Sequence, residues 1–268
     1  MSDLTDPIPA NTEDGRIAAA LSGTTPFPRV WPHPLPDLTP QQRLALSARI
    51  LAEADCALDV AGHITEVRDD DTMWSTPYGK WWWELTASDQ LIVDDAGDVV
   101  DGPWDVTPAI FIHTEIHRSR PDAKVIIHNH PHYATLLATM KLMPEITDQQ
   151  ACMFDGEVAI FDEYTGGIDS AQGGQELASA IGDATVVLLA NHGLLVMGET
   201  VEEATYKFVT FERSCRLNYE ALAAGHPGTI IPPDKRKQLK EMLLRYSTTY
   251  YFNGAARRVL ASNPEVLD

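Results

Sequence analysis

The chain is short of cysteine, of positive charge and of long apolar runs. Three cysteines occur in 268 residues, Cys56, Cys152 and Cys215, odd in number and without CxxC spacing. A disulfide framework is therefore excluded, and free thiols in a reducing, cytoplasmic compartment are expected. Lys and Arg total 20 against 39 Asp and Glu, a formal charge of -19 with pI near 4.7. Such a chain repels phosphate backbones and anionic lipid, so neither nucleic acid nor membrane is expected as a partner. Nowhere do the roughly 18 apolar residues of a membrane span run together, and the opening MSDLTDPIPANTEDG has no basic or apolar leader region. What is there is a chain 44% hydrophobic, long enough to bury a core without staples.

Residues 1–38 hold seven prolines and little periodicity, which predicts an extended arm lying on the surface or reaching a neighbouring subunit. A single folded domain is expected over residues 39–268. Thr39, Pro40 and Gln42 read as a capping box that opens a helix to about Leu58. Short strands follow at residues 63–68, 72–76, 91–94 and 98–100. Further on, helices are expected at 108–118, 132–141, 170–181 and 200–224, and strands at 124–128, 157–161 and 185–190, with two shorter helices after Pro233. Hairpins first and strand–helix alternation later imply an α/β fold with one mixed sheet covered by helices.

Three histidines crowd the stretch 124-KVIIHNHPHYATLLA-138. In a strand, alternate side chains share a face, so His128 and His130 point together while Asn129 points away. Pro131 ends that strand, and after the apolar run at 185–190 His192 stands beside Gly193 in an equivalent setting. Three neutral imidazoles with one position left for water or substrate match a catalytic rather than a structural zinc site. Imidazole nitrogens also suit other divalent ions. His132 lies past the proline on the following helix, and His113 and His117, four apart on one helix, read as core or supporting histidines.

The run 113-HTEIHRSRPDAKVIIHNHPHYATLLA-138 with 187-VLLANHGLLVMGETVEEA-204 resembles the class II aldolase/adducin family. The resemblance implies a three-layer α/β/α fold with a central mixed, largely antiparallel sheet. It also implies a homotetramer with sites near subunit interfaces, and a divalent metal on three histidines that map onto His128, His130 and His192. Zinc is the first expectation, manganese or iron the alternatives. Departures bear on the reaction. Where the family's sugar-phosphate aldolases place an acid/base glutamate, this chain has Ala109, and Glu115 lies about 120° round the helix from it. The family's phosphate-binding steps become Gly62-His63, Tyr78-Gly79 and Thr107-Pro108, and Pro108 has no N–H to offer a phosphate.

The loop 74-WSTPYGKWWWEL-85 occupies that region with four tryptophans in ten residues. Its Tyr78, Lys80 and Trp81, together with His63, are expected to receive a non-phosphorylated, aromatic hydroxy or keto carboxylic acid. Carbon–carbon cleavage by decarboxylation or retro-aldol chemistry suits a Lewis acid beside such an acid, and decarboxylation asks least of a base. Candidates for proton return are Tyr164, His132 and Tyr133. Two other functions stay open: an iron(II) oxygenase of an aromatic acid, and a non-catalytic, adducin-like interaction module.

Overall fold

A computed structural model describes residues 35–163 and 166–268. Its centre is an eight-stranded sheet: β1 (His63–Val67), β2 (Met73–Ser75), β3 (Leu91–Val93), β4 (Val99–Asp101), β5 (Val125–Asn129), β6 (Val158–Phe161), β7 (Val186–Leu189) and β8 (Gly193–Gly198). Their order is β4-β3-β2-β1-β5-β8-β7-β6. Every neighbouring pair is antiparallel except β6 and β7, which gives the mixed, largely antiparallel sheet that the resemblance implies.

Period-two alternation divides the core. Ile64, Val125, Ile127, Val186, Leu188, Leu194 and Val196 face one layer. That layer comprises α1 (Pro40–Glu53), α3 (His132–Thr139), α5 (Val201–Ala223) and α7 (Thr248–Ser262). Ile126, Val187, Leu189, Leu195 and Met197 face the other, made by α2 (Phe111–Ser119) and α4 (Ala171–Ile181). Helix α6 (Pro233–Met242) joins α7 through a π turn at Leu243–Ser247. Leu35 and Leu38, the described end of the proline-rich arm, pack against the first layer.

The capping box forms as expected, with Thr39 accepting from Gln42 N–H and the Gln42 side chain returning the bond. Helix α1 ends at Glu53, however, before Asp55 enters left-handed backbone at φ 56°. Leu58 is therefore exposed rather than part of an apolar helix face. The larger correction is β8. The apolar run after His192 is a full strand between β5 and β7, whereas the sequence reading ended the sheet at residue 190. His192 consequently sits in a hairpin turn, not at a free strand end. The helix expected at 108–118 is divided, opening as a 3-10 turn over Pro108–Ile110. Among the described residues, no helix is long and apolar enough to cross a membrane.

Candidate metal centre

Strand pairing places His128 opposite His63 on β1 and opposite Leu195 on β8. His130 follows the end of β5. Asn191, in left-handed backbone at φ 55°, turns the chain from β7 to β8, and His192 N–H donates to Leu189 O at 3.0 Å. That hairpin carries the third imidazole back over the other two. Nitrogen atoms of His128, His130 and His192 all lie within 4.8 Å of one another, and their ring centroids are 4.8–5.0 Å apart. Gly193 allows this approach, because a Cβ there would meet Asn129 O and His130 Cδ2 at 2.7 Å.

Hydrogen bonds set which nitrogens are free. His128 Nδ1–H donates to Leu194 O at 3.0 Å, which leaves its Nε2 lone pair for a ligand. His130 Nδ1 faces Asp59 Oδ2 at 3.6 Å, while its Nε2 is buried without a hydrogen-bond partner. Burial, reinforced by neighbouring His63, His192 and His130, holds the His128 imidazole well below its ordinary pKa. Burial and then His130 bring His192 down to about 4. Both are therefore neutral near pH 7, as metal ligation requires. An orphaned buried Nε2, a tautomer fixed by a carbonyl and a donor set of nitrogens alone fit one borderline divalent cation.

A second set of histidines stands behind this one. His63 and Thr65, alternate residues on β1, face His113 and His117, one turn apart on α2. The Thr65 hydroxyl lies 2.7 Å from both His113 Nδ1 and His117 Nε2, and His117 Nδ1 is 2.6 Å from Ala123 O. His113 is fully buried, and its ring centroid is 4.2 Å from that of His63, which in turn is 5.1 Å from that of His128. Sequence reasoning placed His113 and His117 in the core or in support of the site but passed over Thr65. Its signal was the two-residue step from His63 along the same strand face.

The other expected site residues are more dispersed. Lys80 is not a free cation, since both Asp89 carboxylate oxygens lie 2.8 Å from its ammonium and the Trp104 ring is beneath it. Tyr78, Trp81, Trp83 and Trp104 are exposed, whereas Trp82 is buried with Nε1–H donating to Gly62 O at 3.3 Å. His132 is exposed on the first turn of α3. The Tyr133 ring packs 6.1 Å from that of Tyr219 and beneath the Arg216 guanidinium. Glu212 accepts from the Tyr133 and Ala134 N–H groups at 2.8 and 2.7 Å, so it caps that helix. Ala109 is half-buried against the second layer. Tyr164 lies outside the described residues.

Residues 42–219 match the family described as the Class II Aldolase and Adducin N-terminal domain. The chain belongs to the class II aldolase and adducin family. Decarboxylase NovR of Streptomyces niveus is 33% identical over 215 residues, spanning 77% of this chain and 78% of its own. The 4-hydroxy-3-prenylphenylpyruvate oxygenase/4-hydroxy-3-prenylbenzoate synthase of Streptomyces roseochromogenus subsp. oscitans is 34% identical over 215 residues, 77% of this chain and 76% of its own. Among solved structures, an L-fuculose 1-phosphate aldolase from Glaciozyma antarctica superposes with a TM-score of 0.75 at 25% identity, covering 100% of this chain and 99% of that one. With these relatives this class II aldolase family member is a lyase.

Proposed function

We propose that the protein is a divalent-metal-dependent carbon–carbon lyase, of decarboxylase or aldolase type, acting on a small non-phosphorylated aromatic hydroxy or keto carboxylic acid. The observation that carries the reading is the convergence of His128, His130 and His192 on one point, with the Nε2 of His128 free and that of His130 unpartnered. A divalent ion held there, zinc first and manganese or iron as alternatives, supplies Lewis acidity for the negative charge that develops as a carbon–carbon bond breaks. The three imidazoles hold that ion without adding negative charge, so the site still attracts a carboxylate.

The chain's own residues supply the rest. Ala109 offers no acid or base, so a cleavage in which the carboxylate departs as carbon dioxide and the carbon left behind takes up one proton suits this site better than cleavage needing a strong base. His132, exposed and two residues past His130, is the nearest proton carrier in sequence. Tyr133 is engaged by Tyr219 and Arg216, and Tyr164 is the third candidate. Exposed Tyr78 and Trp81 offer aromatic faces to the substrate, with His63 bordering the triad. A homotetramer is part of the reading, since exposed Met140, Leu142 and Met143 beside α3 give apolar surface for a second subunit. Three buried free thiols suit a cytoplasmic setting.

Elemental analysis of the protein after reconstitution, then carbon dioxide and aldehyde release from aromatic hydroxy and keto acids, tests the proposal. One ion per chain and turnover abolished in His128→Ala are expected; turnover unaffected by that substitution sinks it. An iron(II) oxygenase is the second reading, favoured by the printed activity of the Streptomyces roseochromogenus relative and by the suitability of imidazoles for iron. Turnover that requires dioxygen and iron supports it, while anaerobic turnover with zinc or manganese excludes it.

A further inference from the structure

We infer that His63 and His113 form a buried, acceptor-only pocket beside the triad that takes the neutral hydroxyl of the substrate, making the preferred acid one with a hydroxyl next to its carboxylate. The inference rests on the proposed function for the presence of an acid at the triad; the polarity of the pocket comes from hydrogen bonding alone.

Each tautomer follows from what its partner can do. A carbonyl oxygen only accepts, so His117 Nδ1 carries a proton for Ala123 O, and the neutral ring then presents a bare Nε2. Thr65 has one hydroxyl proton, which goes to His117 Nε2, so Thr65 Oγ1 must accept from His113 Nδ1–H. His113 is thereby left with a lone pair on Nε2. His63 reaches the same state separately, because its Nδ1–H donates to Ala61 O at 3.3 Å. The row ends on a backbone carbonyl, which cannot release a proton. It locks polarity and conducts nothing.

Two bare Nε2 atoms thus lie in rings 4.2 Å apart, both buried and both without a hydrogen-bond partner. Leaving two such buried acceptors unmatched is unfavourable, so the arrangement calls for a donor. Two unpartnered donors lie nearby in sequence: Asn129 Nδ2 belongs to the opposite face of β5 and meets Gly62, and Thr114 Oγ1, on the residue after His113, leaves α2 about 100° round from it. A second cation is disfavoured, since the described residues bring no third ligand to this pair. An anion would meet two lone pairs and be repelled. A neutral O–H fits. Because His63 stands 5.1 Å from His128, that hydroxyl sits next to the group held at the triad, on or beside the carbon bearing the carboxylate. Water offers the same donor chemistry, so the test must separate a hydroxyl of the substrate from a resident water.

The simplest matched probes are mandelate, an aromatic α-hydroxy acid, and phenylacetate, which lacks the hydroxyl. Calorimetric titration of both into the zinc-loaded full chain gives a preference ratio. That ratio is expected to fall about tenfold in His113→Phe and in Thr65→Val and to be retained in Thr65→Ser. Chelation of the mandelate hydroxyl by zinc alone predicts an unchanged ratio in all three variants, as does a resident water, and either result overturns the pocket. Zinc-dependent binding of both acids without discrimination by the wild type overturns the pocket and leaves the lyase reading standing. Absence of zinc-dependent binding of either acid overturns both. Long-range proton–nitrogen NMR on the wild-type chain needs no variant to fold: His63 and His113 should each show an unprotonated Nε2 whose resonance moves with mandelate and not with phenylacetate. A protonated Nε2 on either ring rejects the assignment.

Discussion

Strands β1 and β5 present two faces built from alternate residues of the same ten positions, and those faces differ in kind. Ile64, Val125 and Ile127 are fully buried in the larger aliphatic core beneath α1, α3 and α5. His63, Thr65 and His128, one step away along each strand, are just as buried but meet histidines. The aliphatic face gains from burial itself, about 1.5–3 kcal/mol for each large side chain. The histidine face loses by burial unless each nitrogen finds a partner. Hydrogen bonds to Leu194, Ala61, Ala123 and Thr65 recover part of that loss, and the nitrogens left over are the ones available to ligands. Stability and chemistry are therefore separated by a single residue of register.

Substitutions one residue apart should break this comparison most sharply. His128→Ala is expected to lower divalent-ion affinity by at least about a hundredfold, read by competition with a chelating dye, while the thermal midpoint of the metal-free protein shifts little. Its neighbour Ile127→Ala should do the reverse. A loss of about 2–5 kcal/mol in urea unfolding is expected from the cavity left behind, with ion stoichiometry per folded chain retained. Equal stability losses for the two would mean that the faces are not functionally distinct.

Acid should also distinguish the faces. Burial holds the His117 pKa near 4 in the fold, below its ordinary value near 6.5. Between those values the unfolded chain binds the extra proton, so this contribution to stability is complete above about pH 6.5 and is lost as pH falls towards 4. Urea midpoints of the metal-free protein measured across that interval should decline, and the slope should flatten in His117→Gln. An unchanged slope would assign the acid sensitivity elsewhere.

Smaller effects concern the edges of the site. Gly193→Ala should weaken ion binding by about tenfold, because its Cβ would press on Asn129 O and His130 Cδ2. Lys80→Ala should change the affinity of an aromatic carboxylate less than about threefold, since Asp89 already neutralises that ammonium. A tenfold loss would return Lys80 to the substrate site.

Much of this arrangement was legible in local pattern. The capping box of α1 and the β-branched run of β5 are encoded in neighbouring residues, and the spacing that puts His128 and His130 on one face needs nothing more. Strand β8 was not legible, because Gly193-Leu194-Leu195-Val196-Met197-Gly198 has glycine at both ends and Val196 as its one β-branched residue, unlike the Val125-Ile126-Ile127 run of β5. Nor was the engagement of Lys80, whose partner Asp89 lies on a separate turn beyond the tryptophan loop.

By itself, then, the sequence determined an acidic chain without disulfides, a sheet covered by helices, and three histidines suited to one divalent ion, since each of these follows from composition or short-range periodicity. Only the tertiary structure decided which nitrogens remain free. The hairpin that brings His192 over β5, the helix that lays His113 and His117 on Thr65, and the carbonyls that fix each tautomer join positions as many as 66 residues apart, and proton placement depends on those partners rather than on neighbours in the chain.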